Sequence, residues 1–191
     1  MENSFFALMF RMKYIDRWSL MRSNIAENLS EHSLEVAIIA HALAVIGNTY
    51  LSKNYNAELI ALKAIYHDAP EILTGDMPTP VKYYNDEIRT AYKAVEKTAT
   101  DRIISLLPEE MKQTYTDVFN LTQEEKTLIK AGDKLCAYIK CMNEIKSGNP
   151  EFKAATRSTE QSLEKLNCPE LAIFKEKFLK SFFEPIDNLH L

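Results

Sequence analysis

Apolar residues recur at three- and four-residue spacing along nearly the whole chain, and sustained strand-type alternation is missing. Phe5, Leu8, Met9, Met12 and Ile15 set out an amphipathic first helix that ends near Arg17-Trp18. Asn28 followed by Glu31 has the pattern of a capping box and opens a long helix through Leu34, Ile38, Ala42 and Ile46. Asn56 caps a third helix, running from Ala57 to Asp68 or beyond. The stretch Thr74-Gly75-Asp76-Met77-Pro78-Thr79-Pro80 carries the glycine and prolines of an ordered loop. A further helix is expected over 84–107, stopped at Pro108, with a short one after it. Thr122 with Glu125 makes a second capping box, with Leu121 placed as a staple, and starts a long helix through Asp133 towards Ile145. Ser147-Gly148-Asn149-Pro150 is a stop and restart, and two C-terminal helices over 150–190 complete the chain. The sequence has no repeat, low-complexity tract or linker. The expected fold class is all-α, a single-domain helical bundle over 1–191.

Composition narrows the class of function. A chain of 191 residues holds one sizeable core rather than two. Its net charge of −4 argues against broad binding to a nucleic acid polymer or an anionic membrane. The start, Met1-Glu2-Asn3, lacks the positive leader of a secretory signal. The longest apolar stretch, Val36–Ile46, is interrupted by His41 and is too short to span a bilayer. Cys136, Cys141 and Cys168, without CxxC spacing, suit free thiols in a reducing cytoplasm, so a soluble cytoplasmic protein is expected. Gly47, Gly75, Gly132 and Gly148 lie too far apart for either phosphate-cradling glycine loop. GxSxG, a DxD nucleophile pair and a cysteine followed six positions on by arginine are absent as well. Phosphate chemistry in such a chain calls for a metal ion.

Four residues could hold one. His32, the adjacent pair His67-Asp68, and Asp133 each fall within a predicted helix, and a bundle can converge such side chains on one point. Two imidazoles and two carboxylates suit Mn, Co, Zn or Fe with positions left open for water and a phosphate oxygen. An HD dipeptide alone is weak, since a buried histidine usually just finds a hydrogen-bond partner. At about 100° per residue His41 lies roughly 180° around the helix from His32, so His41 reads as structural and His190 as an exposed tail residue. Glu71 falls about 40° from His67 if the helix continues through Pro70, which makes it a candidate general acid or base. Local sequence alone favours a surface glutamate that closes a helix. Asp76 reads as a turn residue or a site carboxylate. Arg17-Trp18 reads as a helix-end cation beside a half-buried aromatic, or as a phosphate clamp and a wall for a sugar or base.

The order His32, His67-Asp68, Asp133 resembles the H…HD…D signature of the HD-domain metal-dependent phosphohydrolases. The words NLSEHSLEVAIIAHAL (28–43), YHDAPEILTGDMPTPVKYYN (66–85), KAGDKLCAYIKC (130–141) and RWSLMR (17–22) are more specific. They resemble the bacterial 5′-deoxynucleotidase branch, with a motif core over about 17–141. The resemblance implies hydrolysis of deoxyribonucleoside 5′-monophosphates to deoxynucleoside and phosphate, with a divalent metal and in homodimers. It implies His32, His67, Asp68 and Asp133 as metal ligands, with Asp68 and Asp133 also facing substrate. Glu71 is implied as acid/base, assisted by Asp76, and Arg17 as the group that orients the phosphate. Trp18 would crowd the place of a ribose 2′-hydroxyl, and Asp76, Met77, Pro78 and Thr79 would contact the nucleotide. Metal-activated water would be the nucleophile. Gly132 departs from the alanine more usual before the last aspartate of the signature.

Two other readings stand beside it. One is an HD phosphohydrolase acting on deoxynucleoside triphosphates or an alarmone, although the candidate site residues supply one arginine, Arg17, with Lys82, Lys130 and Lys134 near in sequence. The other is a non-catalytic nucleotide-binding helical module, against which all five candidate ligands and acid/base groups are intact. Phe174, Phe178, Phe182 and Phe183 suit either a dimer face or packing within one chain.

Overall fold

The computed structural model describes residues 3–82 and 84–189; His190 lies outside them, as do Met1 and Glu2 of the expected leaderless start. Among the described residues the regular elements are all helices, joined by loops and turns, with a lone antiparallel bridge between Asp16 and Asn28. The expected all-α class is what is found. Two compact units divide it, one made of the chain up to Leu34 with Ile65–Leu121, the other of Glu35–Ala64 with Thr122 onward.

The first unit opens with α1 (Phe5–Met9), which tightens into a 3₁₀ turn over Phe10–Tyr14. The helix therefore stops short of Arg17-Trp18, where the sequence pattern had run it, because Ile15 is extended and pairs through its carbonyl with the N–H of Leu29. Helix α2 (Leu29–Tyr50) begins at the expected capping box. Asn28 Oδ1 accepts from Glu31 N at 3.1 Å, and Glu31 Oε2 accepts from Asn28 N at 3.1 Å. Asn56 caps α3 (Ala57–Ile65), accepting from Leu59 N at 2.9 Å.

His67-Asp68 are not helical, contrary to the expectation. Pro70 disfavours helical backbone before it, and residues 66–72 form a turn of three-residue hydrogen bonds: Ala69 N to Tyr66 O, Glu71 N to Asp68 O, Ile72 N to Ala69 O. One-turn helices α4 (Glu71–Thr74) and α5 (Thr79–Lys82) flank Gly75, whose φ of 74° is the left-handed backbone that glycine adopts freely. Helix α6 (Asp86–Ile104), capped by Asn85, backs both, and α7 (Glu109–Phe119) follows Pro108. The unit's apolar cluster joins Phe5 and Met9 of α1 to Ala69, Ile103 and Leu107, with Tyr66, Ile72 and Tyr115 around it. That core seats the His67-Asp68 turn from below.

In the second unit the Thr122–Glu125 capping box forms as expected and starts α8 (Gln123–Lys146). Gly132 lets α8 approach α2 closely, since a Cβ there would sit 3.3 Å from the Val36 carbonyl oxygen. After the break at 147–149 come α9 (Lys153–Glu164) and α10 (Pro169–Phe178). Lys140 and Glu144 form a buried 2.6 Å ion pair that Asn149 completes from Nδ2 at 2.9 Å. Tyr55 Oη donates to Glu170 at 3.0 Å, tying the 51–56 loop to α10. Of the C-terminal aromatics, Phe174 is buried, while Phe178 and Phe182 pack on it and keep about two-fifths of their surface exposed. Cys136, Cys141 and Cys168 are buried thiols outside any disulfide. By length and composition alone α2, which extends beyond the apolar stretch Val36–Ile46, is long enough to cross a bilayer; 56% of its apolar window is buried within the protein, as in a core helix.

Candidate metal centre

The site in the first unit is assembled by pairing two short segments. Arg17 N donates to Glu27 O at 3.0 Å and Leu29 N to Ile15 O at 3.0 Å, so residues 15–17 run alongside 27–29. This brings Arg17-Trp18 up to the first turn of α2, where His32 is fully buried. Trp18 has φ of 60°, a left-handed conformation that costs a non-glycine residue about 1–2 kcal/mol. Its neighbours hold it there: Trp18 N donates to Asp76 Oδ2 at 3.3 Å, and Trp18 Nε1 donates to Glu27 Oε2 at 2.6 Å.

One carboxylate oxygen is the focus of the cluster. Asp68 Oδ2 lies 3.1 Å from His67 Nε2, 3.6 Å from His32 Nε2 and 3.4 Å from Arg17 Nη1. His32, His67 and Asp68 each offer a ligand atom within 4.8 Å of the others, the spacing that a single bound cation requires. Two imidazole nitrogens and a carboxylate are borderline donors suited to a divalent transition metal, and the donor set fits one. His41 is exposed, in keeping with its half-turn offset from His32, but on the surface rather than in the core. Asp133 stands in the second unit on α8, a quarter exposed, 3.1 Å from Lys134 Nζ.

Glu71 is buried, not the surface residue that local sequence favours. The turn before Pro70 replaces the continuous helix assumed in placing it, yet the side chain still points inward. Burial chiefly, then the charges of Asp68 and Asp76, push its carboxyl from 4.5 up to about 8, against opposing pulls from Lys82 and Arg17. Its Oε2 is buried with no hydrogen-bond partner, while Lys82 Nζ stands 3.7 Å from Oε1. Lys82 in turn donates to Glu96 at 2.8 Å and lies over the Tyr92 ring at 4.6 Å. Burial works against its charge, but the bond to Glu96 and the nearby carboxylates outweigh this and hold the ammonium above the usual lysine range. Met77 and Pro78 are half-buried and Thr79 is exposed, along the loop that Asp76 anchors. A buried acid that keeps its proton near neutrality, next to a metal-type cluster and one guanidinium, can serve acid–base chemistry on an anionic ester.

Sequence reasoning missed Glu27, 9% exposed, although Arg17, Trp18 and His32 all reach towards it. No local motif marks it, because its partners are brought in by the 15–17/27–29 pairing.

The model of the family described as 5′-deoxynucleotidase YfbR-like matches residues 4–182. The 5′-deoxynucleotidase YfbR of Shigella boydii serotype 18 is 47% identical, over 98% of this chain and 96% of its own. A 5′-deoxynucleotidase of Cronobacter sakazakii matches at the same identity and coverage. Among solved structures, an HD-domain phosphohydrolase from Listeria innocua superposes with a TM-score of 0.78 at 23% identity, over 94% of this chain and 88% of that one. The cyanophage S-2L HD phosphohydrolase, bound to dA and one catalytic Zn2+ ion, gives 0.64 at 18% identity, over 92% and 96%. The structural likenesses bear on the fold, which is that of the HD-domain phosphohydrolases. Matched over nearly its whole length by family and relatives alike, the chain belongs to the YfbR-like 5′-deoxynucleotidase family.

Proposed function

We propose that this chain is a metal-dependent phosphomonoesterase that hydrolyses deoxyribonucleoside 5′-monophosphates to deoxynucleoside and orthophosphate. The observation that carries the reading is the convergence of His32, His67 and Asp68 beside Arg17 and the buried Glu71, in a chain of this family. His32, His67 and Asp68 would hold a divalent cation (Co, Mn, Fe or Zn), with Asp133 of α8 as the fourth ligand. When bound, such a cation supplies Lewis acidity towards a phosphate oxygen and lowers the pKa of water towards neutrality.

The chain's own residues do the rest. Arg17 neutralises charge on the non-bridging phosphate oxygens, a role that its planar guanidinium suits. Glu71 holds a proton near neutral pH and delivers it to the departing 5′-oxygen, and Asp76 favours that protonated form through its charge. Trp18 walls the sugar where a ribose 2′-hydroxyl would lie, and Asp76, Met77, Pro78 and Thr79 border the nucleotide, with Asp68 and Asp133 on its phosphate side. The chain works as one domain over 1–191, in a homodimer, as in the family it resembles. Buried thiols outside any disulfide suit a reducing, cytoplasmic setting, and burial of over half of the apolar window of α2 suits a protein that is not inserted in membrane.

A side-by-side assay of dAMP, AMP and dATP tests this. Orthophosphate released from dAMP in clear preference to AMP is the expected result. Comparable turnover of AMP would remove the sugar selectivity, and pyrophosphate or tripolyphosphate from dATP as the main product would replace the reading with a triphosphohydrolase.

A further inference from the structure

Three side-chain nitrogens face the Glu27 carboxylate, which is nine-tenths buried. Trp18 Nε1 donates to Oε2 at 2.6 Å, and Arg17 Nε lies 3.5 Å from the same oxygen. His32 Nδ1 lies 3.7 Å from the other, Oε1. The His32 ring thus stands between two carboxylates, with Nδ1 towards Glu27 and Nε2, 3.6 Å from Asp68, towards the ligand cluster. The Glu27 main chain joins in, its carbonyl accepting from Arg17 N.

We infer that Glu27 is a positioning residue that couples the sugar wall to the metal ligand: one carboxylate sets the ring orientation of His32 and the indole of Trp18. The inference rests on the metal-dependent deoxynucleotidase reading above. Its physical basis is acceptor chemistry. A carboxylate offers only acceptors, and all three groups facing it carry N–H donors. A carboxylate on the far nitrogen of a ligating histidine fixes the tautomer and the ring plane, which strengthens the near nitrogen as a ligand. The same carboxylate, bonded to the indole, keeps Trp18 in its left-handed conformation, so a change at Glu27 reaches both metal affinity and sugar discrimination.

Glu27→Gln separates this from a purely structural role. The amide keeps the size but turns an NH2 towards one of the donors. Two readouts are taken: Mn2+ affinity of metal-stripped protein by calorimetry, and the ratio of kcat/KM for dAMP over AMP. The expected result is a loss of Mn2+ affinity of about 10–100-fold, together with a fall in the dAMP:AMP ratio. Trp18→Phe, which removes the indole donor together with part of the ring, lowers the ratio and leaves Mn2+ affinity within about twofold of wild type. Glu27→Asp, which keeps the acceptors, recovers part of both. E27Q protein that melts like wild type and matches it on both readouts overturns the inference. Should E27Q fail to fold, a W18F protein with an unchanged dAMP:AMP ratio overturns it. Wild-type protein that binds no Mn2+ and leaves dAMP intact removes the proposed function itself, a result distinct from an indifferent E27Q.

Discussion

Lys82 Nζ stands 3.7 Å from Glu71 Oε1 and 2.8 Å from Glu96 Oε1, so one ammonium from the one-turn helix α5 joins the buried acid of the site to α6. The segment that Asp76 anchors therefore ends on the residue that sets the charge around Glu71. Lys82 lowers the Glu71 pKa, working against burial, Asp68 and Asp76.

Replacing Lys82 by Met removes that opposing charge and leaves Glu96 uncompensated nearby. The Glu71-dependent limb of the kcat/KM profile for dAMP is expected to move to higher pH. Rates measured between pH 6 and 9 check this, and an unmoved limb would separate Lys82 from the acid.

The raised pKa also has a stability consequence in metal-stripped protein. Below pH 4.5 Glu71 is protonated in both states and contributes no pH dependence. Between 4.5 and about 8 the unfolded chain ionises while the folded one keeps its proton, so stability falls as pH rises, by up to about 1.4 kcal/mol per unit. Above that the loss is complete. Urea midpoints at pH 5 and pH 8 should decline more steeply for wild type than for Glu71→Gln, and parallel declines would contradict the assignment.

Trp18 adopts φ of 60°, which glycine tolerates and alanine does not. Trp18→Gly is expected to be more stable than Trp18→Ala by about 1 kcal/mol, although both lose the indole bond to Glu27. Denaturant titration of the two variants decides it.

Asp76→Ala removes the acceptor for Trp18 N and one of the charges that raise Glu71. A higher KM for dAMP, a weaker preference over AMP and a lower Glu71 pKa are expected together. Steady-state kinetics over a pH series would show whether the three move as one.

Local hydrogen bonding explains which parts were legible in the sequence. The caps Asn28–Glu31, Asn56 and Thr122–Glu125 span three residues, and each forms as the pattern reads. The candidate pair His67-Asp68 was visible by type, but its backbone was not, because Pro70 converts the helix end into three-residue turns. Burial of Glu71 depends on α6 and Lys82, contacts that no spacing rule along 67–76 encodes. Glu27 was invisible for the same reason. Its partners lie five, nine and ten residues away in sequence and meet only when 15–17 pairs with 27–29.

Metal add-back to chelator-treated protein tests the central claim most directly, with orthophosphate release from dAMP as the readout. The account predicts negligible release without metal, recovery with about one equivalent of Mn2+ or Co2+, and no recovery in His67→Ala. Equal release by the stripped wild-type protein, or full recovery in His67→Ala, would contradict it.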